Sequence, residues 1–118
     1  EGVRVELHEV KTIAAPTVMD HVHLFVPDPI ATRDWYVKMF GATPGERGAF
    51  KTASVPGAEI SITKDETTVT TKGRVVDHIG FEVKNLNDTV KRLEAAGARV
   101  FATIEDIVTA CRRDHTPR

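Results

Sequence analysis

Short apolar runs separated by turn chemistry dominate the chain, and their periods change from two to near 3.6 and back. Residues 1–16 alternate charge with Val3, Val5, Leu7 and Val10, the pattern of a weak edge strand or an extended arm. The run TVMDHVHLFV at 17–26 is β-branched and aromatic and predicts a strand, closed by Pro27, Asp28 and Pro29. Ile30, Trp35, Met39 and Phe40 then cluster near one helical face while Arg33, Asp34 and Lys38 lie away from it. That spacing predicts a helix over 30–40 with Gly41 as its C-terminal cap. A Gly- and Pro-containing turn at 43–48 follows. After it, 49–55 and 59–63 read as two strands of a hairpin joined at Pro56 and Gly57. The β-branched residues 67–71 predict a further strand before Lys72 and Gly73 turn the chain.

The second half repeats the plan. Residues 74–83 read as a strand, 86–96 as an amphipathic helix through Val90 and Leu93, and Gly97 as its cap. The repeat is visible in the letters: MDHVHLFVPD (19–28) lies over VDHIGFEVKN (76–85), so Asp20 falls over Asp77, His21 over His78 and Val26 over Val83. Thr32 then falls over Thr89, and Gly41 over Gly97 after one deletion. A period of about 57 residues points to duplication of a strand–helix unit, and hence to an α+β fold of two related modules sharing one core.

Composition narrows the function classes. With 41% hydrophobic residues, 28% charged residues and a formal net charge of -1, the chain has no basic field for nucleic acid. Its longest apolar runs fall far short of the roughly 20 residues of a membrane span. The single cysteine, Cys111, excludes an intrachain disulfide and the common paired-cysteine zinc spacings, so any metal would need His and carboxylate ligands. The first residue, Glu1, is not Met, which fits a processed signal sequence, a trimmed chain or a fragment alike and leaves the compartment open.

The segment DHVHLFVPDPIATRDWYVKMFGA resembles the opening of a module of the vicinal oxygen chelate superfamily, the glyoxalase, bleomycin-resistance and extradiol-dioxygenase group. It has a first-strand histidine (His21), an Asp seven residues later (Asp28) and an aromatic-rich helix with Trp35 and Tyr36 that ends in Phe40-Gly41. RVVDHIGFEVKNLNDTVKRLEAAGARV resembles the opening of the second module. The resemblance implies paired βαβββ modules forming a curved mixed sheet. On this chain it reads as an N-terminal extension (1–16), a first module (17–73), the start of a second module as strand-helix-strand (74–103) and a divergent tail (104–118) in which the second module is truncated or altered. The superfamily includes lyases, isomerases, dioxygenases and antibiotic-sequestering proteins, so the fold does not select a reaction.

Carried over residue by residue, the resemblance implies a divalent metal (Ni, Zn, Fe, Co or Mn) on the concave sheet face. His21 matches the first-strand ligand and His78 its counterpart in the second module; such ligands suit those ions and leave positions for substrate oxygens. Glu59, on the strand before the second module, is the candidate third metal ligand, taking the role after a register shift unless that ligand is missing, or a candidate general base. The family's own position there is Ser61, which shares its face. His23 shares the face of His21 and is a pocket residue with Ser61. The fourth ligand of the family has no match.

Each reading has a plainer competitor. His21 and His78 serve equally as strand histidines bonded to backbone, Glu59 as a solvent-facing carboxylate, and Trp35, Tyr36 and Phe40 as packing residues. Lys84, Lys91, Arg92 and Arg99 serve either an anionic substrate or a solvated helix face. Cys111, beside Arg112 and Arg113, has only the distant His115 as a partner histidine, which argues against a nucleophile. The expected function is a glyoxalase-like metal-dependent lyase, isomerase or dioxygenase acting on a small oxygen-rich substrate, working as a homodimer. The alternatives are a non-catalytic, antibiotic-sequestering type of binder and an inactive truncated homologue that folds as a dimer.

Overall fold

In the computed structural model, residues 4–99 are described. They fall in two compact units that divide after Phe81. The first holds β1 (His21–Val26), α1 (Pro29–Phe40), β2 (Thr43–Arg47), β3 (Phe50–Val55) and β4 (Ala58–Lys64); the second holds α2 (Leu86–Ala95). The fold is α+β, with one mixed, unclosed sheet of four strands in the order β1-β4-β3-β2. β1 runs parallel to β4, and the β2-β3 and β3-β4 pairs are antiparallel.

The elements follow from local chemistry. Asp28 caps α1 by accepting the Ala31 N–H through Oδ1 at 3.0 Å, with proline at the start of the helix, where a missing N–H costs nothing. Gly41 ends it at φ 67°, a left-handed conformation in which its N–H donates to the Val37 carbonyl. In the second unit Asn85 caps α2 by accepting the Asp88 N–H through Oδ1 at 3.1 Å. That helix ends at Ala96, with the positive φ falling on Gly97.

Three expectations change. The turn at 43–48 is largely strand β2: pairing with β3 overrides the turn signal, and Pro44 is tolerated because β2 is an edge strand. Gly45 is needed there, since a Cβ would lie 2.8 Å from the hydroxyl of the buried Thr52 on β3. The segments 67–71 and 74–83 are not strands among the described residues; β-branched composition favours a strand only where a ladder partner is available. β1 starts at His21 rather than Thr17, at the residue where pairing with Glu59 begins. The final strand expected up to residue 103 and the tail 104–118, with Cys111 and His115, lie outside the described residues.

Alternation along each strand gives the sheet two different faces. One presents Val22, Leu24 and Val26 of β1, Ile60 and Ile62 of β4, and Ala53 and Val55 of β3. Ala53 and Ile62 are fully buried, and with Ala42 and Ile60 they form the core that Leu24, Val26, Val55, Tyr36 and Phe81 pack against. Trp35, Tyr36 and Phe40 are packing residues, as one of their two readings had it: Phe40 stacks on Phe81 at 4.2 Å between ring centroids and meets Trp35 edge-on at 5.6 Å.

Candidate functional site

The opposite face is polar. Register alone assembles it: His21 pairs with Glu59 and His23 with Ser61 across β1 and β4, Ser54 pairs with Glu59 and Thr52 with Ser61 across β4 and β3. Four sequence candidates, His21, His23, Glu59 and Ser61, therefore share one patch, because side chains two apart on a strand point the same way and cross-strand partners lie side by side.

His21 is largely buried. Its Nδ1 lies 2.9 Å from Asp20 Oδ2, and its Nε2 is 3.6 Å from Glu6 Oε2. Both ring nitrogens therefore face carboxylates, and the Asp20 contact fixes the orientation of the ring. Asp20 is held well down, to about 2, first by the hydrogen bond from His21 and then by Arg47. Glu59 accepts from Ser54 Oγ through Oε2 and from Ser61 Oγ through Oε1, both at 3.3 Å, and pairs with Arg47 Nη2 at 3.0 Å. Ser61 is 1% exposed, so its hydroxyl is committed to this carboxylate rather than to solvent.

His23 sits beside this cluster in aromatic company. It stacks on Phe25 at 4.9 Å, meets Phe50 edge-on at 4.9 Å and bonds the Thr63 hydroxyl through Nε2 at 2.5 Å. Desolvation, and after it the neighbouring His21, lowers its pKa, so His23 is a neutral ring at physiological pH. Phe25 is half exposed on the same face.

His78 is not drawn into this patch. Its side chain is 84% exposed, and its Nδ1 lies 3.3 Å from Asp77 Oδ1. The Asp–His dyad of the first repeat thus recurs in the second, with the same ring nitrogen facing the carboxylate in each. Among the described residues no group of three or more His, Cys, Asp or Glu side chains is arranged to hold a metal ion. His21 and Glu59, paired by register on neighbouring strands, bring together an imidazole and a carboxylate, two of the donor types that divalent metals take. The hollow lined by Pro27, Asp28, Ala31, Thr32, Trp35 and Tyr36 takes in none of these residues.

Sequence reasoning missed Asp20, Arg47, Ser54, Glu6 and His8 as site residues. Asp20 was findable, because the repeat aligns it with Asp77 directly before each histidine. Arg47 was not, since its role depends on β2 being a strand. Glu6 and His8 come from the segment before β1: His8 Nε2 is 2.6 Å from Glu6 Oε1, its Nδ1 is 3.2 Å from Asp20 Oδ2, and its ring centroid is 6.0 Å from that of His21.

The sequence profile of the Glyoxalase/Bleomycin resistance protein/Dioxygenase superfamily matches residues 18–117. The chain belongs to that superfamily. Among solved structures it is similar to the oxidase ChaP-H2, at 17% identity and a TM-score of 0.59 over 70% of this chain and 65% of that one. It is similar also to the fosfomycin resistance protein FosX of Listeria monocytogenes, at 20% identity and a TM-score of 0.59 over 78% of this chain and 72% of that one. A possible glyoxalase from Bacillus cereus aligns at 27% identity and a TM-score of 0.54 over 70% of this chain and 76% of that one. The first two likenesses establish the fold alone, and the chain spans less than two thirds of the length of the oxidase ChaP-H2. No curated protein matches the chain. No helix among the described residues is long and apolar enough to cross a membrane.

Proposed function

We propose that the polar sheet face binds a small oxygen-rich molecule, and that His21 and Glu59 supply two donors of a divalent metal, Ni, Zn, Fe, Co or Mn, that takes part in a lyase, isomerase or dioxygenase reaction. The observation that carries this reading is the register pairing of His21 with Glu59 on a face that also gathers Ser54 and Ser61. A divalent ion takes four or more ligands, so the pair is half a set. His78, or donors from a second copy of the chain, would complete it. When bound, such a metal polarises substrate oxygens as a Lewis acid.

The protein's own groups then have separable tasks. Asp20 holds the His21 ring in one orientation. Ser54 and Ser61 fix the two oxygens of Glu59, and the same carboxylate is the candidate base for a proton next to a carbonyl. Neutral His23 with Phe25 and Phe50 forms an apolar wall beside the polar cluster. The working unit is a homodimer, since among the described residues β1 and β2 are edge strands that a second copy would cover.

The test is elemental analysis of protein purified without chelator or affinity metal, comparing the native chain with His21→Ala, Glu59→Gln and His78→Ala. Near-stoichiometric metal that is lost in the first two variants supports the pair as donors; loss in His78→Ala adds the third. A native chain that stays metal-free after incubation with Ni, Zn, Fe and Mn defeats the metalloenzyme reading. It would favour sequestration of an uncharged or aromatic ligand against His23, Phe25 and Phe50, an assignment that the half-exposed Phe25 on this face supports.

A further inference from the structure

The polar face carries its own cation. Arg47, at the end of β2, reaches over the sheet to the two carboxylates that flank His21: Nη1 lies 3.3 Å from Asp20 Oδ2 and Nη2 lies 3.0 Å from Glu59 Oε1. One planar guanidinium thus bridges the group that orients the histidine and the group proposed as its fellow donor, a forked geometry that a lysine cannot reproduce. The oxygen that Arg47 holds, Glu59 Oε1, also accepts from Ser61.

We propose that Arg47 is an internal counter-cation that competes with divalent metal for Glu59, so that the ion pair must open before a metal is held by His21 and Glu59. The inference rests on the metal-donor reading above. A divalent ion on Glu59 Oε1 and a guanidinium on the same oxygen are like charges within a few ångströms, on a face partly shielded from water, where their repulsion is not negligible. Arg47 itself is nearly half exposed and sits at the tip of an edge strand, so it is free to swing into solvent without disturbing the core. The arrangement has a second consequence: Arg47 offsets the mutual repulsion of Asp20 and Glu59 and holds both side chains in place.

Calorimetric titration with Ni²⁺ alone tests this on the full chain, in four forms: native, Arg47→Gln, Arg47→Lys and the double variant Arg47→Gln/Glu59→Gln, each first shown to be folded by circular dichroism. Arg47→Gln is expected to bind Ni²⁺ at least about tenfold more tightly than the native chain. Arg47→Lys, which keeps the charge but grips one carboxylate, should fall between them, and the double variant should lose the gain. Equal or weaker binding by Arg47→Gln, with the native chain still binding through Glu59, overturns the competition and leaves the donor pair standing. A gain that survives in the double variant also overturns it, because the effect would not pass through Glu59. Absence of Ni²⁺ binding in all four forms overturns both this inference and the metal reading.

Discussion

Replacing Ile62 by Ala tests the two-faced sheet directly. Ile62 is fully buried on the central strand β4, on the face that packs beneath α1, while its chain neighbours Ser61 and Thr63 point to the polar side. The substitution removes three carbons; at about 0.8 kcal/mol for each buried carbon the transfer loss is near 2.4 kcal/mol. The remaining void adds about 1 kcal/mol for every ~40 Å³ left unfilled, so a loss of about 3 kcal/mol is expected, within the ~2–5 kcal/mol typical of such truncations. For a domain of this size that is a large share of a total stability of ~5–15 kcal/mol. Urea unfolding followed by the fluorescence of Trp35, the single tryptophan, reads it, and the midpoint should fall by roughly 2 M. Ile62→Val, which should cost only ~0.5–1.5 kcal/mol, gives a folded intermediate point. Phe25→Ala on the other face is the control: Phe25 is 51% exposed, and its removal should cost less than half as much as Ile62→Ala. The reasoning fails if Ile62→Ala costs under about 1 kcal/mol, or if Phe25→Ala costs as much.

Other consequences are sharp enough to measure. Asp28→Ala removes the acceptor for the Ala31 N–H and should destabilise the protein by about 1 kcal/mol, whereas Asp28→Asn or Asp28→Ser should restore most of it in the same unfolding assay. Gly45→Ala should cost ~1–3 kcal/mol, because the added methyl meets the buried Thr52 hydroxyl at 2.8 Å; pairing it with Thr52→Ala should recover part of that loss. Tyr36, the single tyrosine, has its pKa raised above 10.0 by burial, so its phenol absorbance should titrate later in the folded chain than in urea. The sign for stability follows: the contribution is whole below pH 10 and is lost as pH rises through the raised folded value, which Tyr36→Phe should abolish.

Local patterns carried most of the first unit. The aromatic and β-branched run of β1, the Asp28-Pro29 start and Gly41 stop of α1, and the Pro56-Gly57 hairpin are each written in a few adjacent residues, and each stands in the fold close to where those residues place it. What was not legible depends on distant partners. β2 is a strand because β3 lies beside it, despite Pro44 and Gly45; 74–83 has the letters of a strand without a ladder. The same division runs through the candidate site. Period-two alternation already placed His21 with His23 and Glu59 with Ser61, but bringing those two pairs together needs the parallel register of β1 and β4, a contact between residues 38 apart that no local pattern encodes.

That register also explains why Arg47 and Asp20 matter more to the site than their letters suggest. A lone His–Glu pair on a sheet face would leave Glu59 and Asp20, two anions on the neighbouring strand ends, facing each other across His21. The fold answers with one arginine delivered from the far edge of the sheet, and that delivery requires the full β2-β3-β4-β1 order: a shift of β2 by one residue would turn Arg47 to the other side of the sheet, away from Asp20 and Glu59. The charge pattern and the strand register therefore select one another. An Arg47→Ala chain should lose less stability than Ile62→Ala, because solvent screens exposed ion pairs, yet change the polar face more, since Asp20 and Glu59 lose the cation they share. A variant that unfolds easily while keeping the polar face intact, or one that stays stable while altering it, separates the two roles that this sheet keeps on opposite faces.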